Sequence, residues 1–147
     1  MYINLKSKII YLCVSVGLMA GVFSMPVFAD VAVIVNPGSG ISAASSGDVK
    51  SLFLGKSKKI AGKSVVAVEQ KEGNSARATF NDKVLGKSGS QLKAYWTKLI
   101  FSGKGSPPKN LADDSAVKAH VAANAGAIGY IDSSKVDATV KVILTVK

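Results

Sequence analysis

The fold is decided by residues 65–101, which read VVAVEQKEGNSARATFNDKVLGKSGSQLKAYWTKLIF. The stretch begins with a short apolar run, passes through the polar turn Gly73-Asn74-Ser75-Ala76-Arg77, and continues into two segments with apolar residues at helical spacing. Such a turn places small hydrogen-bonding side chains and an arginine where unpaired backbone N–H groups open a helix. Helix starts of this type attract anions, so the stretch predicts a strand–turn–helix unit with a candidate anion site.

Two further apolar segments flank this stretch and predict more of a sheet. Val31–Val35 is continuously apolar and is stopped by Asn36-Pro37-Gly38, which predicts a strand buried on both faces, as in a parallel sheet. Residues 139–146 alternate in polarity and predict an edge strand or an antiparallel partner, because Lys141 lies on one face. The apolar face of this strand consists of Val140, Val142, Leu144 and Val146. Shorter strands are predicted at residues 64–68 and 127–131.

Serine and aspartate residues mark where the predicted helices begin. The candidate cap residues are Ser45 or Ser46, Ser88 or Ser90, and Asp113 or Asp114. Gly55 and Gly86 close two predicted helices. The helix after Ser88 carries an apolar stripe that predicts a core-facing side, although exposure of Tyr95 and Trp96 would indicate a docking face instead. The stripe consists of Leu92, Tyr95, Trp96, Leu99 and Ile100. Strands that alternate with helices in this way indicate an α/β layered domain.

The first 29 residues have the pattern of a secretory signal peptide. Lys6 and Lys8 give a positive start, residues 9–25 are largely apolar, and Pro26-Val27-Phe28-Ala29 offers the residues that a signal peptidase reads. The predicted boundaries are therefore 1–29 for the signal peptide and 30–147 for a single domain, which is expected in the periplasm. A single membrane anchor is the alternative, since the apolar run is near the lower length limit for a membrane span.

Composition excludes several classes of protein. Two of the 19 basic residues, Lys6 and Lys8, belong to the leader, which leaves 17 basic against 9 acidic residues and a net charge of +8. The only cysteine, Cys13, also lies in the leader, so a disulfide framework and a thiolate metal site are excluded for residues 30–147. Nucleic acid is not an expected partner, because no aromatic–basic binding signature is present. The basic surplus indicates either a solvated lysine surface or a field that attracts small anions or an acidic partner.

Four motifs occur in an order that resembles a known family. They are Val33-Ile34-Val35-Asn36-Pro37, Leu52-Phe53-Leu54-Gly55-Lys56, Gly73-Asn74-Ser75-Ala76-Arg77 with Phe80, and Ala125-Gly126-Ala127-Ile128-Gly129-Tyr130. Together they resemble the periplasmic phosphate-binding proteins of ABC transporters, and in particular small one-domain members of that superfamily. Residues 87–108 are similar to the family as well, so the resemblance covers nearly all of residues 30–147.

The resemblance implies a type II periplasmic binding protein-like fold, in which two lobes usually close on the ligand. Here the leader is followed directly by what resembles the second lobe. We therefore expect an α/β single lobe with a mixed sheet flanked by helices. Either this lobe works alone, or two chains form a homodimer that assembles a cleft.

The polar turn departs from the pattern of the phosphate binders, which resembles Ser-Gly-Thr with hydroxyls and amides on the oxyanion. The matching positions here are Asn74, Ser75 and Ala76, so one hydroxyl is shifted and the threonine hydroxyl is lost. Glu69 and its neighbour Gln70 stand where the family often has an arginine, and Glu69 would repel phosphate if it faced the site. An arginine, Arg77, is retained after the turn.

Two candidate ligand sites follow from these patterns. The first is an anion seat at Asn74, Ser75, Ala76 and Arg77, built from backbone amides, the Ser75 hydroxyl and the Arg77 guanidinium. The alternative is an ordinary capped helix with Asn74 or Ser75 as N-cap and a solvated Arg77. The second candidate is the Gly/Ser loop after Val31–Val35, with Ser39 and Ser42, which could equally be a plain connection.

Two functions from different classes fit this sequence. The first is a periplasmic solute-binding protein that binds phosphate or a related small inorganic anion and hands it to the membrane permease of an ABC transporter. The alternative is a periplasmic accessory or sensory module that has lost phosphate binding and contacts a membrane receptor. An enzyme is not expected, because the single histidine, His120, has no nearby serine in a nucleophile-elbow pattern. No cofactor and no metal site are predicted.

Overall fold

Strand β1, Val31–Val35, is buried along its whole length and lies inside the sheet. The computed structural model describes residues 30–147, and the predicted signal peptide lies outside the described residues. β1 pairs with β6 (Ala127–Asp132) on one side and with β7 (Lys141–Val146) on the other, antiparallel in both cases. The prediction that β1 belongs to a parallel arrangement is therefore wrong, because apolar layers on both faces of the sheet bury it without any parallel pairing.

Two more strands complete the main sheet, whose order is β5–β4–β6–β1–β7. β4 (Val66–Gln70) runs parallel to β6 and also to β5 (Lys109–Leu111). A separate hairpin contains the short strands β2 (Lys59–Ile60) and β3 (Lys63–Ser64). Because β1 and β4 run in opposite directions beside β6, their carboxyl ends lie at opposite ends of the sheet.

Helices cover both faces of this sheet. Within residues 30–147 the α-helices are α1 (Ser46–Phe53), α2 (Ser75–Phe80), α3 (Gly89–Phe101) and α4 (Asp114–Ala123). α2 continues into a π-helical turn, Asn81–Leu85, which Gly86 closes in the left-handed conformation with φ 64°. Residues of the first three helices and the hairpin share one core with Phe80 and Tyr130, whereas α4 packs against the opposite face. This mixed α/β sheet flanked by helices confirms the predicted fold class.

Side-chain caps fix three of the four helix starts as the sequence predicts. Ser45 and Ser88 each form a reciprocal capping box, with Asp48 and Gln91 respectively. Asp113 caps α4 by accepting a hydrogen bond from the N–H of Ala116 at 2.9 Å. These caps place the helix boundaries within a residue or two of the predicted positions.

Aromatic packing anchors α2 to the sheet. The ring of Phe80 stacks on the ring of Tyr130 from β6, with centroids 4.0 Å apart and planes 9° from parallel. Phe53 of α1 meets Phe80 edge-on at 4.7 Å. All three rings are almost fully buried, so they hold α1 and α2 at fixed positions over β6.

Strand β7 lies at an edge of the sheet and pairs antiparallel, as predicted, but its side chains do not keep one apolar face. Val33 pairs with Leu144 and the next residue, Ile34, pairs with Val142, so Ile143 is the extra residue of a β-bulge. The bulge divides the apolar residues between the two cores: Val142 contacts the α4 side, and Leu144 contacts the opposite core. The prediction of a single apolar face is therefore wrong, because it assumes strict alternation.

The second predicted strand is displaced along the chain. β4 covers Val66–Gln70 rather than residues 64–68, and its first residue, Val66, is 70% exposed. The buried end of β4 instead carries Glu69 and Gln70. The sequence did not predict β5, because Lys109–Leu111 is short and polar and is held by pairing with β4.

Helix α3 is only partly a core helix. Leu92 and Trp96 are buried, and the half-buried Tyr95 donates a hydrogen bond from its hydroxyl to the carbonyl of Leu54 at 2.6 Å. Ile100, also in the predicted stripe, is 55% exposed. In the part of the chain that the structure describes, neither α3 nor any other helix has the length and apolar character needed to cross a membrane.

Replacing Gly129 with alanine should destabilise the fold, because Val117 of α4 packs directly against β6 at this glycine. An added Cβ would lie 2.6 Å from Val117 Cγ1 and 3.1 Å from Val68 Cγ2. Overpacking of this kind costs about 1–3 kcal/mol in the free energy of unfolding, which urea denaturation measures. Gly89→Ala is the matched control, since nothing lies within 4 Å of its added Cβ. Equal stability of the two variants would contradict the close contact between α4 and β6.

Candidate functional site

The buried end of β4 leads into the predicted polar turn and carries a network of hydrogen bonds. The Gln70 side chain donates from Nε2 to Asp114 Oδ1 at 2.5 Å and to the Tyr130 carbonyl at 3.2 Å. Its oxygen accepts a hydrogen bond from Asn74 Nδ2 at 3.1 Å. Asn74 Nδ2 also donates to the carbonyl of Ala112 at 3.0 Å. The turn is therefore fixed to the start of α4 and to β6 before any ligand arrives.

Asn74 is the N-cap residue of α2, yet its side chain does not cap the helix. The backbone at Asn74 is extended, and its carbonyl accepts the N–H of Ala78 at 3.1 Å. Its side chain points instead to Gln70 and Ala112. Within residues 30–147, no side chain accepts a hydrogen bond from the leading N–H groups of α2, in contrast to α1, α3 and α4. The leading amides of α2 therefore remain uncapped donors.

Ser75 and Ala76, the first two residues of α2, differ in their exposure. Ser75 is exposed to solvent. The side chain of Ala76 is buried in the core beneath the turn. Ser75 is therefore the solvent-facing residue at this helix start, and an anion here would meet the positive end of the helix dipole.

Arg77 is buried rather than solvated. Its Nη1 donates to the Gln70 carbonyl at 2.6 Å and to Asn110 Oδ1 at 3.0 Å. Its Nη2 lies 3.4 Å from Glu69 Oε1 and 4.0 Å from Glu72 Oε1. The guanidinium therefore connects α2 to β4 and β5. The interpretation of Arg77 as a solvated residue is wrong, and its direct contact with a ligand stays a prediction.

Burial raises the pKa of Glu69 from its usual 4.5 to about 7. Removal of the carboxylate from water is the largest cause and outweighs the attraction of Arg77, while the nearby charge of Glu72 raises the pKa further. Glu69 and Arg77 thus form a pair whose net charge changes near neutral pH. When Glu69 holds a proton, the guanidinium charge is less compensated and the neighbourhood of the turn becomes more positive.

Two small hollows open beside the turn. One has a volume of about 250 Å³ and lies between the end of β4, β5 and α3, with Glu69, Arg77, Trp96 and Asn110 among its lining residues. The other, of about 200 Å³, lies between the turn, α2 and the start of α3. Arg77 borders both. These volumes suit an ion or a small molecule rather than a large organic ligand.

The second candidate, the Gly/Ser loop, lies away from the polar turn. It follows the carboxyl end of β1, which is at the opposite end of the sheet from the carboxyl end of β4. Ser39 Oγ accepts the N–H of Ile41 at 3.2 Å, so this hydroxyl serves the loop itself, while Ser42 is exposed. The structure therefore does not bring Ser39 and Ser42 together with Asn74–Arg77, and the two candidates cannot form one site.

Several residues of the network were not predicted as part of the site. Gln70, Asn110 and Asp114 come from three different elements that meet only after β5 pairs with β4. The one sequence signal was the polar pair Glu69-Gln70 directly after an apolar run. In the described part of the chain, no cluster of His, Cys, Asp or Glu has the arrangement to hold a metal ion.

Comparison with known proteins gives a likeness in fold. No protein-family model matches the sequence, and no curated protein matches it either. A phosphate ABC transporter substrate-binding protein with bound phosphate from Clostridium perfringens superimposes with a TM-score of 0.59 at 21% identity, over 79% of this chain. An ABC-type phosphate transport receptor from Vibrio cholerae superimposes with a TM-score of 0.60 at 18% identity, also over 79% of this chain. PstS from Borrelia burgdorferi superimposes with a TM-score of 0.55 at 10% identity.

The chain spans less than half the length of these solved structures. It covers 45% of the Clostridium protein, 46% of the Vibrio protein and 47% of the Borrelia protein. At this level of identity the likeness establishes the fold alone, which is a mixed α/β sheet flanked by helices.

Replacing Glu69 with glutamine should reduce the pH dependence of stability between about pH 4.5 and 7. In this range native Glu69 keeps its proton, because its pKa is about 7, whereas in the unfolded chain it loses the proton near its usual pKa of 4.5. The native state then binds more protons, so the free energy of unfolding of the wild type falls as the pH rises. The contribution is on the order of 2–3 kcal/mol across the window.

Urea denaturation at several pH values between 4.5 and 7.5 measures this effect. Asp82→Asn is the control, because Asp82 is exposed and forms none of the ion pairs found within residues 30–147, so it should leave the wild-type pH profile intact. Parallel profiles for the wild type and Glu69→Gln would show that Glu69 does not keep its proton in the folded protein.

Proposed function

We propose that this protein is a solute-binding protein that works in the periplasm and binds a small inorganic oxyanion, phosphate foremost, at the start of α2. It would hand the anion to the membrane permease of an ABC transporter. Support comes from the likeness in fold to phosphate-binding proteins, one of which holds phosphate. The export pattern of residues 1–29 supports the location.

The observation that carries the proposal is the uncapped start of α2. Among the α-helices of residues 30–147, three have capped leading amides, and α2 is the one whose N-cap side chain is directed elsewhere. The hydrogen bonds of Asn74 to Gln70 and Ala112 hold the turn in that state without occupying the amides. A site prepared in this way loses little conformational entropy when an anion binds.

The proposed contacts combine three kinds of donor. The amides of Ser75 and Ala76 and the Ser75 hydroxyl supply hydrogen bonds, and the helix dipole supplies a positive field. Arg77 contributes charge from behind the turn, moderated by Glu69. Binding and release need no covalent step, which agrees with a protein that is not an enzyme. Protonation of Glu69 near pH 7 would strengthen the positive field and the affinity for an anion.

A partner lobe is part of this proposal. The chain spans less than half of the solved structures that it resembles, and the start of α2 is exposed to solvent at Ser75. A second copy of the chain would cover this opening and form a cleft. The homodimer is therefore proposed together with the ligand, and binding should then promote dimerisation.

The contacts that Arg77 already makes within the protein favour a second function. Both terminal nitrogens of its guanidinium already contact groups of the protein, so they are less available to a ligand than those of a free arginine. This agrees with an accessory or sensory module that keeps the fold and has lost phosphate binding. Anion titration separates the two functions.

Replacement of Ser75 tests the anion seat. Ser75→Pro removes the leading amide and the hydroxyl together, and proline is tolerated here because Ser75 is the first helical residue and Asn74 is extended. Ser75→Ala removes the hydroxyl alone. We expect Ser75→Pro to weaken phosphate binding in isothermal titration calorimetry by about tenfold or more, and Ser75→Ala by less, because each charge-assisted hydrogen bond contributes roughly 1.5–3 kcal/mol.

Ser46→Pro provides the matched control at the first residue of α1, where the preceding Ser45 is also extended. It should leave phosphate binding unchanged. Titration of the wild type with phosphate, sulfate and arsenate that gives no heat at several temperatures would reject the solute-binding proposal and favour the accessory function. Equal weakening by both proline variants would reject the seat at α2 alone.

A further inference from the structure

The basic residues of this protein are segregated along the chain. Residues 83–112 contain six lysines and no acidic residue, and residues 49–68 contain five lysines and no acidic residue. These segments include most of α1, the β2–β3 hairpin and α3, which lie on the same side of the sheet. The other side, covered by α4, carries Asp114, and Lys118 there is paired with Asp137 at 2.8 Å. One face of the protein is therefore strongly basic.

The carboxyl-terminal end of α3 adds an apolar tip to this basic face. Phe101 is 89% exposed and Ile100 is 55% exposed, which makes them two of the three large hydrophobic side chains that stand out among the described residues. The helix ends directly afterwards at Gly103, with φ 68° and a hydrogen bond from the Lys104 N–H to the Leu99 carbonyl. The buried side chains Leu92 and Trp96 hold the inner side of α3 against the core. The tip is thus presented on a rigid helix.

Three lysines surround the apolar tip. Lys93 lies two helical turns before Ile100 on the same side of α3, and Lys98 lies three residues before Phe101. Lys104 follows the end of the helix, directly after Gly103. All three are exposed. Within residues 30–147 the basic side chains that form ion pairs are Arg77 and Lys118, so the charges of these lysines are not neutralised by the protein.

We propose that the end of α3 docks this protein onto a bilayer that contains anionic phospholipids. Ile100 and Phe101 enter the interfacial region, and Lys93, Lys98 and Lys104 contact the headgroup phosphates. An exposed aromatic side chain among lysines is the composition of interfacial anchors, in which apolar burial and electrostatic attraction add. The long lysine side chains reach headgroups while their stems cover apolar surface.

The chemistry favours lipid over an acidic protein as the occupant. The charge is carried by lysines spread over thirty residues, which suits a continuous anionic surface, rather than by arginines in a fixed fork that reads individual carboxylates. Ile100 and Phe101 project from the helix end, whereas a protein partner would be expected to meet a complementary groove. The basic face and the acidic residues near α4 also orient the protein toward a negative surface.

Binding to vesicles tests the proposal. The protein is purified after export, and its amino terminus is identified by mass spectrometry. It is then sedimented with vesicles of phosphatidylcholine containing about 30% phosphatidylglycerol, whose surface is negative, and with vesicles of pure phosphatidylcholine. We expect the protein to bind the anionic vesicles and not the vesicles of pure phosphatidylcholine, and we expect added salt to abolish this binding. Trp96, the single tryptophan, lies one turn from Ile100 and should transfer fluorescence energy to a dansyl lipid in bound protein.

Two sets of variants separate the contributions. Lys93→Gln, Lys98→Gln and Lys104→Gln combined should weaken the apparent Kd about 100-fold, because each lysine near an anionic surface contributes roughly fivefold. The charge-matched control combines Lys135→Gln, Lys141→Gln and Lys147→Gln, which lie outside the tip and should have a small effect. Phe101→Ser should weaken binding by about tenfold and leave its salt dependence unchanged, since it removes apolar contact alone.

Several outcomes would overturn the proposal. These are no binding to the anionic vesicles, equal losses in the two triple variants, and no effect of Phe101→Ser. Binding to soluble polyglutamate with the same dependence on the tip lysines, but not to vesicles, would assign the surface to an acidic protein instead. Circular dichroism of each variant establishes that it is folded. The measurements contain no phosphate ion, so their result is independent of anion binding at α2.

Discussion

The buried guanidinium of Arg77 is the interaction on which the candidate site depends. It connects α2 to the carbonyl of Gln70 on β4 and to Asn110 on β5, and it faces the carboxylate of Glu69. A buried charge is costly unless it is paired and hydrogen-bonded, so these partners are needed to keep Arg77 inside. The same contacts hold the short strand β5 against β4 and fix where α2 begins. The polar turn is thus positioned by an internal ion pair.

This arrangement limits how an anion can bind. Because the guanidinium is already partly neutralised, the direct donors at the turn are the backbone amides and the Ser75 hydroxyl, and Arg77 acts through its field. The strength of that field depends on the charge of Glu69, whose pKa of about 7 lies close to neutral pH. Burial therefore has two effects at once: it stabilises the turn through Arg77, and it makes the local charge sensitive to pH.

The sequence predicted those features that depend on local chemistry. The caps at Ser45, Ser88 and Asp113 follow from side chains that satisfy nearby amides, and the burial of β1 follows from its continuous apolar run. Strand direction could not be predicted, because such a run fits any strand covered on both faces. The inward position of Glu69 could not be predicted from local patterns either, since carboxylates are normally exposed and the residue opposite Glu69 on β5, Asn110, is 41 residues away along the chain. The bulge at Ile143 breaks the alternation on which the face assignment relied.

Helix α3 connects the two surfaces for which roles are proposed. Trp96, Lys93 and Ile100 of this helix border the hollow beside Glu69 and Arg77, while Lys98 and Phe101 are exposed outside the hollow. Because one side of α3 is packed firmly against the core, the helix holds the exposed apolar and basic groups of its other side in fixed positions. If the tip of α3 rests on a bilayer, the hollow lies next to that bilayer as well, and an anion released from the turn emerges close to the membrane. The attraction of the basic face for anions would then serve both capture and docking, which explains why the lysines are concentrated on the side of the sheet that carries the site.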